Sequence, residues 1–388
     1  MIKILELFGG IGAPRKALQN LGYKVNTIDY VEIDKDAVKS YNAIFSENFK
    51  PQDILNWNKD VQVDMIFHGS PCQDFSIAGT NMGGDYGSGT RSSLLYETLR
   101  IVEKIKPKYV IWENVKNVIS KKHKHNFDNY LSEMEKLGYT NYYQVLNAKD
   151  YGIPQNRERV FTISILGSWE DNGIGQVLYE VDDFNFPEKK ILKLKLKDLL
   201  ESEVEEKYYL TDKMMRYVLD MNEVQEGTKW EGRANNGLLN KDIALTIGVR
   251  SAEAQRGGVT NFIIDGLDHE IKVKDFKLLI KEATKKGYKE AYDGDSVNLE
   301  QPNSKTRRGR VGNQVAQTLT TSCNQGVVNN YKIRKLTPKE CWRLMGFDDV
   351  DFEKASQVNS NAQLYKQAGN SIVVQVLEAI FRELLGVD

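Results

Sequence analysis

The first 22 residues combine an apolar run, a glycine turn and an amphipathic stretch, and this combination favours one fold class. Residues 2–8 have the character of a buried strand, and Gly9-Gly10-Ile11-Gly12 follows directly. Residues 14–21 then show helical periodicity, and Gly22 closes the stretch. Proteins of the α/β class use such a turn to bring their backbone close to a ligand at a helix N-terminus. We therefore predict an α/β fold with a ligand site at the turn, although such a turn can also serve only to reverse the chain.

The composition indicates a folded protein without disulfides or a zinc site. A chain of 388 residues corresponds to roughly two or three domains, and 40% hydrophobic residues suffice for a core in each. The three cysteines are far apart, form no CxxC pair and are accompanied by only four histidines, which is consistent with a reducing cytoplasm. No apolar run approaches the roughly 20 residues of a membrane span. The net charge of −1 excludes no partner, because a polyanion binder needs only one positive face.

Three carboxylates follow predicted strands. Glu32 comes directly after the strand at 24–31 and lies 20 residues beyond Gly12, where a carboxylate can accept from both hydroxyls of a ribose. Asp53 follows the next element and could accept from an adenine amine, and Glu113 follows the apolar run 109–112. Each could instead be a solvated charge at a strand end. Several on one edge of a sheet favour a shared pocket.

The segment Gly69-Ser70-Pro71-Cys72-Gln73-Asp74-Phe75-Ser76 follows the apolar run 65–67. A cysteine just past a strand end, beside proline and small residues, is typical of a presented nucleophile, which reacts as its thiolate. The alternative is a buried, inert cysteine. Residues 79–93 contain five glycines, which favours a mobile flap over the site, with a plain surface loop as the alternative. Arg157 and Arg159 alternate along an extended segment, so we expect both guanidinium groups to face one anionic or carbonyl-rich ligand.

The alternation of strands and helices fades after Gly167. We predict a helical piece over 192–207 and a possible duplication of a small β unit, whose two copies are 242–261 and 314–329, with chance similarity as the alternative. Residues 301–335 contain seven Lys or Arg and no acid, either a solvated face or a surface for phosphate contact. Helical periodicity returns at 337–345, and we predict that Gly369-Asn370-Ser371 opens a final amphipathic helix over 372–385.

Five motifs together resemble those of the DNA (cytosine-5) methyltransferases of bacterial and phage type. They are Phe8-Gly9-Gly10-Ile11-Gly12, Gly69-Ser70-Pro71-Cys72-Gln73, Glu113-Asn114-Val115, Gln155-Asn156-Arg157-Glu158-Arg159 and Gly369-Asn370-Ser371. The resemblance covers about 1–186 and 333–388. Glu6 stands where the family usually has Asp, and Ile372 stands where it often has Val; neither change affects the chemistry.

The resemblance implies a Rossmann-like, S-adenosylmethionine-dependent methyltransferase sheet with helices on both faces, together with a smaller, irregular, β-rich target-recognition domain. The implied division is 1–186 for the first part of the catalytic and cofactor-binding domain, 187–332 for target recognition, and 333–388 for the part that completes the catalytic domain. The implied partner is double-stranded DNA, with no membrane association. We expect a cytoplasmic monomer that acts at the bacterial nucleoid in restriction-modification or phage self-protection. A cognate restriction endonuclease would act separately from it.

The resemblance also implies site residues. Cys72 would attack carbon 6 of a cytosine, Glu113 would hold the ring nitrogen and amine, and Arg159, with Arg157 beside it, would hold the carbonyl oxygen. The cytosine would be flipped out of the duplex, because a stacked base offers neither ring face. The implied contacts to S-adenosylmethionine are Phe8, Gly9, Gly10, Ile11, Gly12, Glu32, Asp53, Ile54, Pro71, Leu94, Asn370 and Ser371. The candidate DNA contacts are Gln73, Ser76, Arg91, Arg307, Arg308 and Arg310. No metal is implied.

Other function classes stay open at this point. A nicotinamide-dependent oxidoreductase shares the strand, glycine turn, helix and ribose carboxylate, but needs neither the Pro-Cys loop nor the two arginines. An RNA cytosine methyltransferase would use the same cofactor, but the closest RNA-acting relatives of this family lack a long middle domain and carry a Cys-Phe-Thr tripeptide that is absent here. A catalytically inactive DNA-binding module is disfavoured by the presence of Cys72, Glu113 and Arg159.

Overall fold

The computed structural model describes residues 1–70, 94–171, 176–179, 183–211, 239–240, 243–244, 277–302, 304, 306–322, 324–329 and 332–386. The chain forms two compact units. The first comprises Met1–Leu194, Thr320–Ser322 and Cys341–Asp388, and the second comprises Lys195–Leu319 and Cys323–Glu340. The predicted flap at 79–93 and nearly all of the predicted repeat at 242–261 lie outside the described residues.

In the first unit, strands and helices alternate in the order β1 (Ile2–Leu7), α1 (Ala13–Asn20), β2 (Val25–Val31), α2 (Lys35–Phe45), β3 (Met65–His68), α3 (Leu95–Ile105), β4 (Tyr109–Val115) and α4 (Lys124–Lys136). They are followed by β5 (Tyr139–Asn147), β6 (Gln155–Asn156), β7 (Glu158–Leu166), β8 (Ser168–Asp171) and β9 (Gln176–Tyr179). The alternation predicted from the sequence is therefore present.

Six of these strands form one mixed sheet in the order β2-β1-β3-β4-β7-β5. The first four are parallel, and β7 is antiparallel to both β4 and β5. Leu5 and Ile66 on one face are fully buried and pack in a large core cluster with residues of α3 and α4, including Leu95 and Tyr130. Because β1, β3 and β4 run in parallel, the loops after their last residues meet at one edge of the sheet, where ligands bind in this fold class.

The second unit is built from short strands, which are β10 (Leu239–Asn240), β11 (Ile243–Ala244), β12 (Leu278–Lys281), β13 (Tyr288–Ala291), β14 (Ser296–Asn298), β15 (Val311–Gly312), β16 (Ala316–Gln317), β17 (Gln325–Asn329) and β18 (Lys332–Lys335). An antiparallel sheet has the order β15-β14-β17-β18, and β12 and β13 form a hairpin. Val297, Ile280 and Val328 are buried in the core of this unit.

The predicted helical piece over 192–207 is wrong. The chain forms only two short 3-10 turns there, Leu196–Leu199 and Glu206–Tyr208. Leu192, Leu194 and Leu196 alternate with lysines, and a period of two residues gives no continuous apolar stripe on a helix. The sequence therefore favours extended chain, and only Leu196 of the three is fully buried.

The C-terminal part contains four helices, α5 (Pro338–Arg343), α6 (Asp349–Ser356), α7 (Asn361–Asn370) and α8 (Val374–Leu385). The last three lie in the first unit. Gly369 and Asn370 do not open the final helix, as the sequence suggested; they end α7, and α8 begins after the extended residue Val373. Among the described residues, no helix is long and apolar enough to cross a membrane.

Candidate active site

The glycine turn rests on two tyrosine rings. A Cβ atom added at Gly9 would lie 2.6 Å from the ring of Tyr30. One added at Gly12 would meet the ring of Phe45 and would lie 2.7 Å from the ring of Tyr41. Gly10 has a left-handed φ of +54°, and a Cβ there would meet nothing within 4 Å. The Tyr30 hydroxyl donates to the Gly10 carbonyl at 2.6 Å. The turn is thus packed tightly below and open beside Gly10, so a ligand can approach its backbone there.

Glu32 is bonded to the same turn. Its Oε2 accepts from Gly10 N at 3.1 Å and its Oε1 accepts from Asp34 N at 2.9 Å. Burial raises the pKa of Glu32, and the backbone hydrogen bonds oppose that effect. These bonds hold the carboxylate at the end of β2, beside the turn. A hydroxyl group of a ligand could reach it from the open side.

The other predicted cofactor residues differ in their exposure. Phe8 has a left-handed φ of 55° and is half-buried against the core. Asp53 is half-buried, and its Oδ1 accepts from Leu55 N at the start of a short 3-10 turn, Ile54–Asn56. The side chain of Ile54 is buried in the core, whereas Leu94 is only half-buried. Ile11 is also buried.

The start of the cysteine loop is fixed by Ser70. Its Oγ accepts from Trp112 Nε1 at 3.1 Å and from Asn114 Nδ2 at 3.4 Å, and the Ser70 carbonyl accepts from Asn114 Nδ2 at 3.3 Å. Both donors lie on β4, so the neighbouring strand anchors the chain just before Pro71 and Cys72. The predicted residues Pro71, Cys72, Gln73, Ser76 and Arg91 lie outside the described residues.

Glu113 and Arg159 form an ion pair beside this anchored segment. Arg159 Nε lies 3.0 Å from Glu113 Oε1, and both side chains are largely buried. The two residues lie on adjacent antiparallel strands, where Val115 is the direct partner of Arg159, so they are diagonal neighbours. A Cβ atom added at Gly69 would lie 3.8 Å from Glu113 Oε2. Burial raises the pKa of Glu113, and the charges of Arg159 and Arg157 oppose it. The site therefore holds a carboxyl group close to the first residue of the cysteine loop. Burial favours the protonated form of this group.

Arg157 does not face the same ligand position as Arg159, which corrects the expectation from the sequence. Arg157 is buried, and its Nη2 donates to the carbonyl oxygens of Gly369 at 3.0 Å and Ser371 at 2.7 Å. The carbonyl groups at the end of α7 lack partners within the helix, and a guanidinium group satisfies them. Arg157 thus links the strand segment of the site to Gly369-Asn370-Ser371, where Ser371 is buried and Asn370 exposed.

In the second unit, the structure contradicts part of the predicted DNA surface. Arg310 is fully buried and donates to the carbonyl oxygens of Gln301 and Pro302, so its guanidinium group is not on the surface. Arg307 is half-buried and pairs with Glu300 at 3.1 Å. Of the three predicted arginines, only Arg308 is exposed. The reason is that a basic run in the sequence does not distinguish surface arginines from those that bind internal carbonyl groups.

Several supporting residues were not predicted. Trp112 and Asn114 hold Ser70 at the start of the cysteine loop, and Tyr30 and Tyr41 support the glycine turn. The one available signal was the position of Asn114 and Trp112 on either side of Glu113, since both neighbours of a strand-end carboxylate lie close to the next loop.

The whole chain matches the family described as "C-5 cytosine-specific DNA methylase", over residues 2–386. It is 33% identical to the type II methyltransferase M2.ScrFI of Lactococcus lactis subsp. cremoris, with 99% of each chain covered. It is also 33% identical to the orphan methyltransferase M.SPBetaI of Bacillus phage SPbeta, over 99% of this chain and 97% of the relative. The solved structure of the Entamoeba histolytica methyltransferase EhMeth has the same fold, with a TM-score of 0.60, 14% identity and coverage of 100% and 98% of the two chains. The α/β methyltransferase fold expected from the motifs is confirmed, and the chain belongs to the C-5 cytosine-specific DNA methylase family.

Proposed function

We propose that this DNA cytosine-5 methylase works through Cys72, Glu113 and Arg159, and that the rest of the first unit positions these groups and the cofactor. The observation that carries this proposal is the Glu113–Arg159 pair, 3.0 Å apart, beside Gly69 at the start of the cysteine loop. A nucleophile, a carboxyl group and a fixed cation would then converge on one flipped base.

The residues at the glycine turn fit S-adenosylmethionine, the methyl donor that a methyltransferase of this kind implies. Space beside Gly10 leaves the backbone open to a ligand, and the Glu32 carboxylate is held next to it. Glu32 would accept from the ribose hydroxyls and Asp53 from the adenine amine. Phe8 and Asn370-Ser371 would complete the pocket. The carboxylates of Glu32 and Asp53 also suit a cofactor that carries positive charge.

The chemical steps follow from these groups. The Cys72 thiolate forms a bond to carbon 6 of the cytosine, and the electron pair of the ring double bond moves toward carbon 5. Glu113, whose pKa burial raises, supplies a proton to the ring nitrogen and accepts from the amine. Arg159 donates to the carbonyl oxygen and stabilises charge on the ring. Bound S-adenosylmethionine supplies the methyl group. Carbon 5 uses its electron pair to form the bond to this methyl group. A water molecule then takes the proton from carbon 5, the electrons of that C–H bond restore the ring double bond, and Cys72 leaves carbon 6 as a thiolate. The ring nitrogen returns its proton to Glu113.

The contact with DNA is proposed on a platform of two loops in the second unit. The turn of the β12–β13 hairpin carries exposed Lys285 and Lys286, and Arg308 lies on the neighbouring loop. Arg308 Nε donates to the Ala283 carbonyl at 2.9 Å, which places this arginine against the hairpin. Glu282 accepts from the backbone N–H groups of the two residues after Arg308, at 2.9 and 3.1 Å. The platform therefore presents three cations on a fixed backbone, as phosphate contacts require.

We assign 187–332 to target recognition and the segments 1–186 and 333–388 to catalysis. The names of the relatives, type II and orphan phage methyltransferases, favour a role in restriction-modification or in phage self-protection, in the cytoplasm where the DNA is. Exchange of 187–332 for the corresponding region of a relative with different specificity should move methylation to the sites of that relative. Methylation that stays at the original sites would contradict the assignment.

Methylation-aware sequencing of DNA from cells that express the protein tests the catalytic proposal directly. We expect 5-methylcytosine at specific target sequences with the wild type and none with Arg159→Ala. Lys116→Ala serves as a control, since Lys116 is exposed and its ion-pair partner among the described residues is the exposed Glu158. Unchanged methylation with Arg159→Ala would remove this residue from the site.

A further inference from the structure

A buried carboxyl group that the proposed mechanism does not use lies beneath the glycine turn. Glu6, on β1, is fully buried, and its Oε1 accepts from the Tyr41 hydroxyl at 2.6 Å and more weakly from the Thr27 hydroxyl at 3.5 Å. Its Oε2 is also buried and has no hydrogen-bond partner among the described residues. A buried carboxyl oxygen without a partner destabilises a fold, so this group calls for an explanation beyond packing.

Two stacked aromatic rings connect Glu6 with the glycine turn. The rings of Tyr41 and Tyr30 are stacked with their centroids 4.0 Å apart. Tyr41 lies against Gly12, and Tyr30 lies against Gly9 and donates to the carbonyl oxygen of the residue that follows it. The hydroxyl that donates a hydrogen bond to Glu6 therefore belongs to one of the rings that support the glycine turn. The Glu6–Tyr41 bond is part of the contacts beneath the turn.

Of Glu6, Arg15, Tyr30 and Tyr41, Glu6 has the pKa nearest to neutral pH. Burial raises the pKa of Glu6 to about 7, opposed by the Tyr41 hydrogen bond, the charge of Arg15 and the Thr27 hydrogen bond. Burial also raises the pKa values of Tyr41 and Tyr30 well above their usual range, so both stay neutral. Arg15 stays charged, because its bonds to Tyr41 and to Glu47, at 3.3 and 2.8 Å, outweigh the effect of its burial.

We propose that Glu6 is a positioning residue for the glycine turn and that its ionisation state tunes the affinity of the turn for S-adenosylmethionine. The inference rests on the cofactor site proposed above. Ionised Glu6 accepts a charge-assisted bond from Tyr41, which is stronger than a bond between neutral groups. In the protonated form, the proton lies either on Oε2, where no acceptor is described, or on Oε1, where it competes with the Tyr41 hydroxyl. The ionised form therefore holds the turn better preorganised, and affinity rises with pH.

Equilibrium binding of S-adenosylmethionine, measured by calorimetry between about pH 6 and about pH 8, tests the inference. We expect the wild-type affinity to rise by about fivefold more than that of Glu6→Gln over this range. Comparison with the variant removes the contributions of Glu32 and of the cofactor's own amine, which are common to both proteins. Glu6→Asp keeps a carboxyl group and should retain a pH-dependent component. Parallel profiles for the wild type and Glu6→Gln would overturn the inference.

Two further measurements separate positioning from other effects. S-adenosylhomocysteine lacks the positive sulfonium, so it should show the same Glu6-dependent component if Glu6 acts through the turn. A component seen only with the charged cofactor would show a direct charge effect and overturn the positioning role. Tyr41→Phe keeps the ring and removes the hydroxyl, so it should flatten the profile as Glu6→Gln does, and it carries the test if Glu6→Gln fails to fold. Tyr139→Phe is the matched control, because the Tyr139 hydroxyl donates to the Pro107 carbonyl in the core. This variant should keep the pH profile of wild-type binding.

Failure of the cofactor site itself gives a different result. Glu32→Ala should weaken binding at every pH. If Glu32→Ala binds as the wild type does, the proposed cofactor site is wrong. If it loses affinity while Tyr41→Phe and Glu6→Gln keep the wild-type pH profile, the cofactor site stands and the role of Glu6 is wrong.

Discussion

Arg157 Nη2 lies 2.7 Å from the carbonyl oxygen of Ser371, a residue 214 positions later in the chain. The same nitrogen donates to Gly369, so one buried guanidinium group binds two carbonyl groups at the end of α7. Gln155 makes a second connection of this kind, from its Nε2 to the Leu344 carbonyl at 2.8 Å. Two side chains next to strand β7 thereby hold the C-terminal helices, which supply the last part of the proposed cofactor pocket.

Arg157→Ala should lower both stability and cofactor affinity. The substitution leaves the carbonyl groups of Gly369 and Ser371 without this donor, and loss of bonds to a charged group costs roughly 1.5–3 kcal/mol. Denaturant unfolding and S-adenosylmethionine binding measure the two effects. Arg310→Ala is a matched control, because Arg310 is also buried and donates to two backbone carbonyl groups, but in the second unit. It should lower stability without changing cofactor affinity. Equal affinity in folded Arg157→Ala would contradict the role of this link.

Glu113→Gln should reduce the rate of methyl transfer by roughly two to four orders of magnitude, the usual contribution of a general acid or base. The amide keeps the shape of the side chain but cannot supply the proton, so DNA affinity should change much less than the rate. Single-turnover kinetics and DNA binding separate these quantities. Glu158→Gln is the control, because Glu158 is an exposed carboxylate on the same strand as Arg159. A normal rate in Glu113→Gln would remove this residue from catalysis.

The sequence predicted the parts of the fold that depend on local patterns. Strand β1 is apolar except for Lys3 and Glu6. After it, Gly10 and Gly12 have positive φ angles, which glycine adopts readily because it has no side chain. The approach of Arg159 to Glu113 depends on the register of two antiparallel strands. Glu113 was identified from its place at a strand end, and Arg159 was identified from its alternation with Arg157 along an extended segment. Strand ends that share one edge of a sheet bring such residues together without further information.

Burial and long-range bonds could not be predicted in this way. Arg310 and Arg308 are separated by one residue and look alike in the sequence, but the first is enclosed and the second is exposed. Glu6 reads as a charge that interrupts a strand, although it is fully buried and bonded to a tyrosine 35 positions away. These outcomes depend on which surfaces meet in the folded chain, and no local period encodes them.

Cys72→Ser should abolish methyl transfer while cofactor affinity stays close to that of the wild type. Serine at this position is a far poorer nucleophile than a thiolate, and the pocket barely changes shape. Methyl transfer from labelled cofactor to DNA measures the effect, and a rate within about tenfold of the wild type would exclude the covalent role.

DNA with 5-fluorocytosine at the target position gives an independent test of the same bond. Fluorine replaces the proton that must leave carbon 5, so the wild-type enzyme should remain attached to the DNA through Cys72. Denaturing electrophoresis and peptide mass spectrometry identify the adduct. Its absence with an enzyme that methylates normal DNA would rule out the scheme.

Glu6 should make the stability of the protein depend on pH. Its pKa is raised from 4.5 to about 7 in the folded protein, so folding favours the protonated form. This contribution is fully present below about pH 4.5 and is lost as the pH rises through about 7. The full change in pKa corresponds to at most roughly 3.5 kcal/mol of folding free energy. Glu6→Gln does not titrate, so its free energy of unfolding relative to the wild type should rise between these pH values. Denaturant unfolding at several pH values measures the difference, and a constant difference would show that Glu6 keeps its ordinary pKa.

The exposed cations of the second unit should strengthen DNA binding wherever they touch phosphate. Alanine at Lys285, Lys286 or Arg308 should weaken binding to target and random duplexes together, and removal of one phosphate-bound cation should reduce the slope of log affinity against log salt by about one. Fluorescence anisotropy over a range of salt concentrations measures both quantities. Lys197→Ala is the control, since Lys197 is an exposed cation of the same unit outside the hairpin. A variant that loses affinity for the target alone, by roughly 1–3 kcal/mol, would instead identify a base contact. Unchanged slopes and affinities in all three variants would contradict the platform, because a cation that touches phosphate must release counterions when it binds.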